Sequence, residues 1–355
     1  MISLFVAGGL SLALSLCFTP MLVHWAYQRR DLMPQPRPRD VHHQPVPRVG
    51  GVAIVASFLL SVGFVILWYT SWLNFTSERI LGVDRNLFGV LAGVILLSVF
   101  NFWDDWKGLP WPVRLVSQIA AAWLVTACGI RIQWLSAPNG GHLLLGGWDM
   151  WLVIGWIVLL ANSVNWLDGL NGLAGGVSAI SFITIIFLFL SLNPAVGAGA
   201  VLAAIALGAV VGFLPYNWKG RVFLGDTGSV FLGFIIAVLA IISGGKLATA
   251  FLVLAVPILD AVQVFFRRLF QHHSPFLPDQ NHLHHRLLAL GWNERRIVLV
   301  FYLVSLLFGL VALQTQTIGK ILAIVATLAL MVLAGMTISI ATQRRERLVN
   351  QRKNQ

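Results

Sequence analysis

Residues 149–192 read DMWLVIGWIVLLANSVNWLDGLNGLAGGVSAISFITIIFLFLSL, two apolar runs joined by a polar junction. Each run, 149–165 and 173–192, is long enough as a helix to cross a hydrocarbon layer about 30 Å thick. The junction carries Asn162, Asn165, Asp168 and Asn171, with Gly169 and Gly172 able to make tight turns. An Asp at the centre of a membrane helix costs roughly 2.5–3.5 kcal/mol. A plain connector needs neither three amides nor an acid at this depth.

The same alternation runs along all 355 residues. The chain is 58% apolar and only 10% charged, with mean hydropathy +0.82, where a soluble protein carries about a quarter charged residues. Eleven spans are predicted, at roughly 3–26, 50–69, 86–103, 112–130, 149–165, 173–192, 195–213, 227–242, 247–265, 297–314 and 318–340. The expected fold is therefore all-α, a polytopic membrane protein forming one domain over residues 1–355, with a basic tail at 342–355. No internal repeat or soluble domain is visible. Cys17 and Cys128 stand alone inside apolar segments and suggest neither a disulfide nor a metal site. The first residues lack the basic stretch of a signal peptide.

The formal charge is +11, and its placement matters more than its sign. Loops 27–49, 104–114, 166–172, 214–226, 266–296 and the tail after 341 hold nineteen Lys and Arg, while the alternate loops hold five. The positive-inside rule puts the first set in the cytoplasm, the N-terminus in the periplasm and the C-terminus inside. The long loops lie on that same face, so function is expected there. Nucleic acid is not an expected partner; the lipid bilayer is.

Four polar clusters fall on the cytoplasmic face. The third span ends in Asp104-Asp105, where adjacent carboxylates call for a divalent cation or a nearby cation, although two solvated residues at a helix end would look the same. The junction around Asn165, Asp168 and Asn171 offers hard oxygen ligands of the kind Mg²⁺ takes. Phe223-Leu224-Gly225-Asp226-Thr227-Gly228-Ser229 opens the eighth span, and its helix N-terminus is expected to offer backbone N–H groups to phosphate. Asp226 there would repel phosphate unless a metal lay between them. The longest cytoplasmic loop holds Arg267, Arg268, His272, His273, His282, His284, His285 and Arg286, suited to binding a diphosphate; a zinc site is the alternative. Asp260, near the cytoplasmic end of the ninth span, is expected to pair with Arg267 or Arg268.

With these motifs the chain resembles the polyprenyl-phosphate N-acetylhexosamine-1-phosphate transferases of glycosyltransferase family 4, in the bacterial undecaprenyl-phosphate branch. The likeness covers about residues 29–292, including Arg39-Asp40-Val41-His42-His43-Gln44-Pro45-Val46-Pro47-Arg48-Val49-Gly50-Gly51 and His282-x-His284-His285. It implies Asp226 as a Mg²⁺ ligand (Mn²⁺ as a substitute) and Phe223 stacked on uracil. Asp104 and Asp105 would deprotonate or orient the lipid phosphate, with Arg114 on the diphosphate. Asn165 and Asp168 belong to the nucleotide and metal turn, and Arg48 and the three histidines to the substrate site. Many bacterial members have Asp where this chain has Asn171; another branch uses Asn there on the metal. The histidine order resembles enzymes that start O-antigen, enterobacterial common antigen or teichoic-acid linkage units.

The resemblance implies transfer of N-acetylhexosamine-1-phosphate from a UDP-sugar to undecaprenyl phosphate in the bacterial inner membrane. GlcNAc leads as the sugar, followed by FucNAc or QuiNAc, and a homodimer is compatible with the sequence. A transporter of an ion or nucleotide-sugar is the rival reading, but it calls for ionisable groups near mid-bilayer. A non-catalytic scaffold would explain the spans and leave the Asp, Asn and His crowding unexplained.

Overall fold

The computed structural model describes residues 1–29, 45–132, 134–136, 141–192, 197–243, 247–270, 282–315, 318–330 and 333. The expected residues Arg39 to Gln44, His272, His273 and the tail at 342–355 lie outside that set. The helices are α1 (Ile2–Gln28), α2 (Gly50–Trp68), α3 (Arg85–Lys107), α4 (Trp111–Ala127), α5 (Asp149–Leu167), α6 (Leu173–Leu192) and α7 (Ala198–Trp218). They continue as α8 (Gly225–Ile242), α9 (Leu247–Val253), α10 (Ala255–Phe270), α11 (Leu283–Ala289), α12 (Glu294–Gln314) and α13 (Ile318–Leu330).

Helical segments stand at the eleven expected spans, but the one expected at 247–265 is broken in two and the last is described only to Leu330 and at 333. Among the described residues eight are long and apolar enough to cross a membrane, and α9 with α10 forms an apolar pair bent by 83°, a broken span or a re-entrant loop. The bend has a local cause. Pro257 has no N–H to give the Val253 carbonyl, and its ring crowds that carbonyl. The protein is a multi-pass, all-α membrane protein.

Helix α8 is the hub, packed against α2, α3, α5, α6, α7 and α9, and nearly all of it is buried. Lipid offers no hydrophobic drive for helices to associate, so close backbone packing must hold them. Glycine supplies it. A Cβ on Gly51 would stand 2.1 Å from Gly228 N, fixing α2 against α8, and one on Gly233 would meet Leu160 O of α5 at 2.5 Å. Helices α1 and α7 approach as closely, with Gly208 against Gly8 O and Ser15 Oγ donating to Ala209 O at 2.6 Å.

Two antiparallel hairpins, β1 (Arg79–Ile80) with β2 (Val83–Asp84) and β3 (Trp134–Ser136) with β4 (His142–Leu144), join helices at the bundle end opposite the start of α8. Asp84 ties the first to α3, accepting the N–H groups of Asn86 and Leu87 as well as those of Phe75 and Thr76. At the other end the chain segments around Arg48, Gly108, Asp168 and Phe223 meet.

Candidate active site

The site is built around the first turn of α8. Gly225 has φ +73°, a left-handed conformation that favours glycine, and a Cβ there would touch both oxygens of Asp105 at 2.8–2.9 Å. That absence lets Asp105, at the end of α3, reach the helix start. Its Oδ1 accepts the Asp226 N–H at 2.9 Å, and its Oδ2 accepts the Thr227 N–H at 2.9 Å and the Thr227 hydroxyl at 2.8 Å. Asp168, capping α5, accepts the Gly225 N–H.

These bonds correct one expectation. The N–H groups opening α8 were expected to meet phosphate; those of Gly225, Asp226 and Thr227 instead serve two aspartates of the protein. A helix start leaves four donors unpaired, and carboxylates are strong acceptors for them. Asp105, expected beside Asp104 in the reaction, has its oxygens committed to this cap.

Asp226 is held from several sides. Asn165 Nδ2 donates to its Oδ1 at 2.8 Å and to Ser229 Oγ at 2.9 Å. Arg114 Nη1 lies 3.6 Å from Asp226 Oδ2 and 3.3 Å from Asp104 Oδ2. Asp104 and Asp226 are also within hydrogen-bonding reach of each other, and Asp104 accepts the Leu109 N–H. Side-chain exposure separates their roles. Asp104 is 6% exposed, whereas Asp226 and Arg114 are 33% and 32% exposed, so the latter two can meet a ligand.

The first loop reaches the same place through its backbone. Phe223 N–H donates to Pro47 O, and the N–H groups of Gly50 and Gly51 donate to Phe223 O and Leu224 O, at 2.8–3.1 Å. Arg48 is thereby set close enough for its charge to act on Asp168 and Asp226. Burial and the Asp226 charge push the Asp168 carboxyl up to about 7, and Arg48 and the Gly225 N–H only partly oppose this.

Asn171 is half-buried in the turn after Asp168. That turn is clamped by residues the sequence reading passed over: Asn217 Oδ1 accepts the Gly172 N–H at 2.7 Å, and Tyr302 OH donates to Gly172 O at 2.6 Å. Both come from other helices, and no local signal marks them.

The histidines border this turn. His282 Nδ1 is 2.9 Å from Asp260 Oδ2, and Leu283 N–H donates to Asp260 Oδ1 at 3.0 Å. Asp260, expected to pair with Arg267 or Arg268, thus anchors the start of α11. His284 is buried, its Nε2 unpartnered and pressed on Gly169, where a Cβ would stand 2.1 Å away. Burial and the neighbouring His285 and His282 hold it neutral, well below the usual imidazole range. His285 lies 4.2 Å from His284, ring centre to ring centre. Among the described residues no three His, Cys, Asp or Glu side chains form a metal cage; His272 and His273 of this loop lie outside them.

A cavity of about 270 Å³ opens beside the acids. Asp226, Asn165 and Arg114 line its head, Gln118 and Asn162 its neck, and Val158, Leu159 and Gly155 its apolar remainder. From Asn165 to Gly155 is ten residues of α5, about 15 Å of helix, or roughly half a bilayer core. Gly155 is exposed, and a Cβ there would meet nothing within 4 Å. The cavity therefore runs from a charged head to an open flank.

Fold and site together define a polytopic membrane protein with a charged site at one end of its helix bundle. Comparison with known proteins agrees. The profile described as Glycosyl transferase family 4 matches residues 87–244. A probable undecaprenyl-phosphate N-acetylglucosaminyl 1-phosphate transferase of Bacillus subtilis is 32% identical over 328 residues, covering 89% of this chain and 86% of the relative. A decaprenyl-phosphate N-acetylglucosaminephosphotransferase of Mycobacterium tuberculosis is 31% identical, covering 83% and 78%. An undecaprenyl-phosphate alpha-N-acetylglucosaminyl 1-phosphate transferase of Escherichia coli is 27% identical, covering 79% and 75%. The chain belongs to glycosyl transferase family 4.

Proposed function

We propose that this protein transfers N-acetylhexosamine-1-phosphate, with GlcNAc the leading sugar, from a UDP-sugar to undecaprenyl phosphate at the cytoplasmic face of the bacterial inner membrane. The observation that carries this reading is a cavity that joins Asp226 and Arg114 at its head to an apolar, laterally open flank at Gly155. A donor bearing a diphosphate suits the charged end and a prenyl chain suits the apolar end. The relatives' names give a polyprenyl phosphate acceptor, which supports the apolar end, and an N-acetylglucosamine phosphate as the group moved. Initiation of O-antigen or a related envelope glycan is the physiological role proposed.

The acids fit a divalent cation. Among the described residues, the basic side chains acting on Asp104, Asp168 and Asp226 are Arg48 and Arg114, so with Asp105 the fully ionised described cluster carries an excess of two negative charges. Mg²⁺ needs no protein cage, because it takes one or two carboxylates and completes its shell with phosphates and water. Asp226 and Asn171 would hold it, with Asp168 alongside. When bound, it neutralises charge on the diphosphate and on departing UMP.

The chain's own residues do the positioning. Arg114 holds the diphosphate while remaining paired with Asp104, and Asn165 fixes the Asp226 carboxylate. An oxygen of the lipid phosphate attacks the β-phosphorus, the bond from that phosphorus to the bridging oxygen breaks, and UMP leaves with the electron pair. A phosphate monoester is largely dianionic near neutrality, so orientation and electrostatics outweigh base catalysis. Asp104 acts by orienting Arg114.

The test is purified protein in detergent with Mg²⁺, undecaprenyl phosphate and a panel of UDP-sugars, scored by UMP release and lipid product. Turnover with an N-acetylhexosamine is expected. No turnover across the panel would remove this reading, and uptake of a nucleotide-sugar into liposomes without lipid product would favour transport.

A further inference from the structure

The neck of the cavity contains a polar device that the acid cluster does not use. Asn162 Nδ2 donates to Gln118 Oε1 at 2.6 Å and to Val158 O at 2.8 Å, which occupies both of its hydrogens. Gln118 Nε2 makes one long contact, 3.5 Å to Asn162 Oδ1. Gln118 is 4% exposed overall and lines the cavity. The pair therefore fixes the glutamine amide while leaving a donor hydrogen inside a low-dielectric slot, where an unsatisfied donor is costly.

Its depth is informative. Gln118 follows Arg114 by four residues on α4, and Asn162 precedes Asn165 by three on α5, so both sit about one helical turn, roughly 4.5–6 Å, deeper than the charged head. Below them the lining becomes apolar. An acceptor phosphate attacking a diphosphate held at Arg114, with its chain running toward Gly155, would place its phosphoester oxygens at this level.

We infer that the Gln118–Asn162 amide pair is a positioning element for the polyprenyl phosphate acceptor: Gln118 Nε2 donates to an oxygen of the lipid phosphate, and Asn162 holds that amide in place. This rests on the transfer reaction proposed above. The pair selects a phosphate monoester entering from the membrane and has no role in holding the nucleotide.

The experiment measures the KM of undecaprenyl phosphate and of the UDP-sugar separately, with melting temperature in detergent as a fold control. Gln118→Leu and the isosteric Gln118→Glu should each raise the acceptor KM about tenfold or more, the loss expected for one hydrogen bond to a charged group, with little change in the UDP-sugar KM. Gln118→Asn combined with Asn162→Gln rebuilds an amide bridge between α4 and α5 but moves the donor, so the high acceptor KM should persist. An unchanged acceptor KM in the single variants, or wild-type kinetics in the swapped pair, would show a simple helix clamp and overturn the inference. If the wild-type protein itself releases no UMP, the transfer reading has failed, and this inference fails with it.

Discussion

The Asp226 N–H donates to Asp105 Oδ1 at 2.9 Å, so a residue ending α3 caps the helix whose first turn carries Asp226, the acid that lines the cavity. Asp105 and Asp226 are thus a scaffold and a ligand-facing group, and their substitution should separate stability from activity. Asp105→Ala should lower stability by about 1–2 kcal/mol, the usual loss of a helix cap, read as a lower melting temperature in detergent. Asp226→Ala should keep the wild-type melting temperature within a few degrees and abolish UMP release. Near-normal turnover in the second variant would remove Asp226 from its assigned role.

Arg114 lies between Asp104 and Asp226 and balances part of their charge. Arg114→Ala should weaken the UDP-sugar and reduce kcat/KM by about 100-fold, in line with the loss of a charge-assisted contact. The same change should tighten Mg²⁺ binding, because the cluster becomes more negative. Calorimetric titration of Mg²⁺ checks the opposite signs. Weakening of both ligands together would point to local unfolding instead.

The Asp168 carboxyl, pushed up to about 7, gives a pH dependence with a defined sign. An acid whose folded-state pKa is raised favours the folded state while protonated, so this contribution is lost as pH rises from the ordinary carboxylate range through 7. A divalent cation beside ionised Asp168 and Asp226 offsets their repulsion. The Mg²⁺-induced rise in melting temperature should therefore be larger at pH 8 than at pH 6, and Asp168→Asn should flatten the difference. An equal rise at both pH values in the wild type would count against Asp168 as part of the cation site.

Gly51 and Gly228 let α2 and α8 touch backbone to backbone. Gly51→Ala puts a methyl 2.1 Å from Gly228 N, where no flexible side chain can yield. The helices must separate, at about 1–3 kcal/mol by analogy with overpacked cores, and the Gly51 N–H to Leu224 O bond must stretch. Lower melting temperature together with lost turnover is expected. Gly63→Ala, on the same helix where a Cβ meets nothing within 4 Å, is the control and should be close to neutral.

Much of this protein was legible in its residue order, because lipid is a demanding solvent. A backbone that must satisfy its own hydrogen bonds in hydrocarbon has to form helices there, so apolar runs such as 173–192 announce α6 directly, and Asp, Asn and Arg must gather where runs end. The choice between neighbours in sequence was made elsewhere. Asp104 and Asp105 are adjacent, but on a helix they point about 100° apart, and only the position of α8 decides that Asp105 caps its first turn while Asp104 meets Arg114. Likewise Asn217 and Tyr302 acquire meaning only when α7 and α12 bring them to Gly172. Helix identity follows from local composition and solvent; the division of labour among the acids follows from which backbone N–H groups packing delivers to each carboxylate.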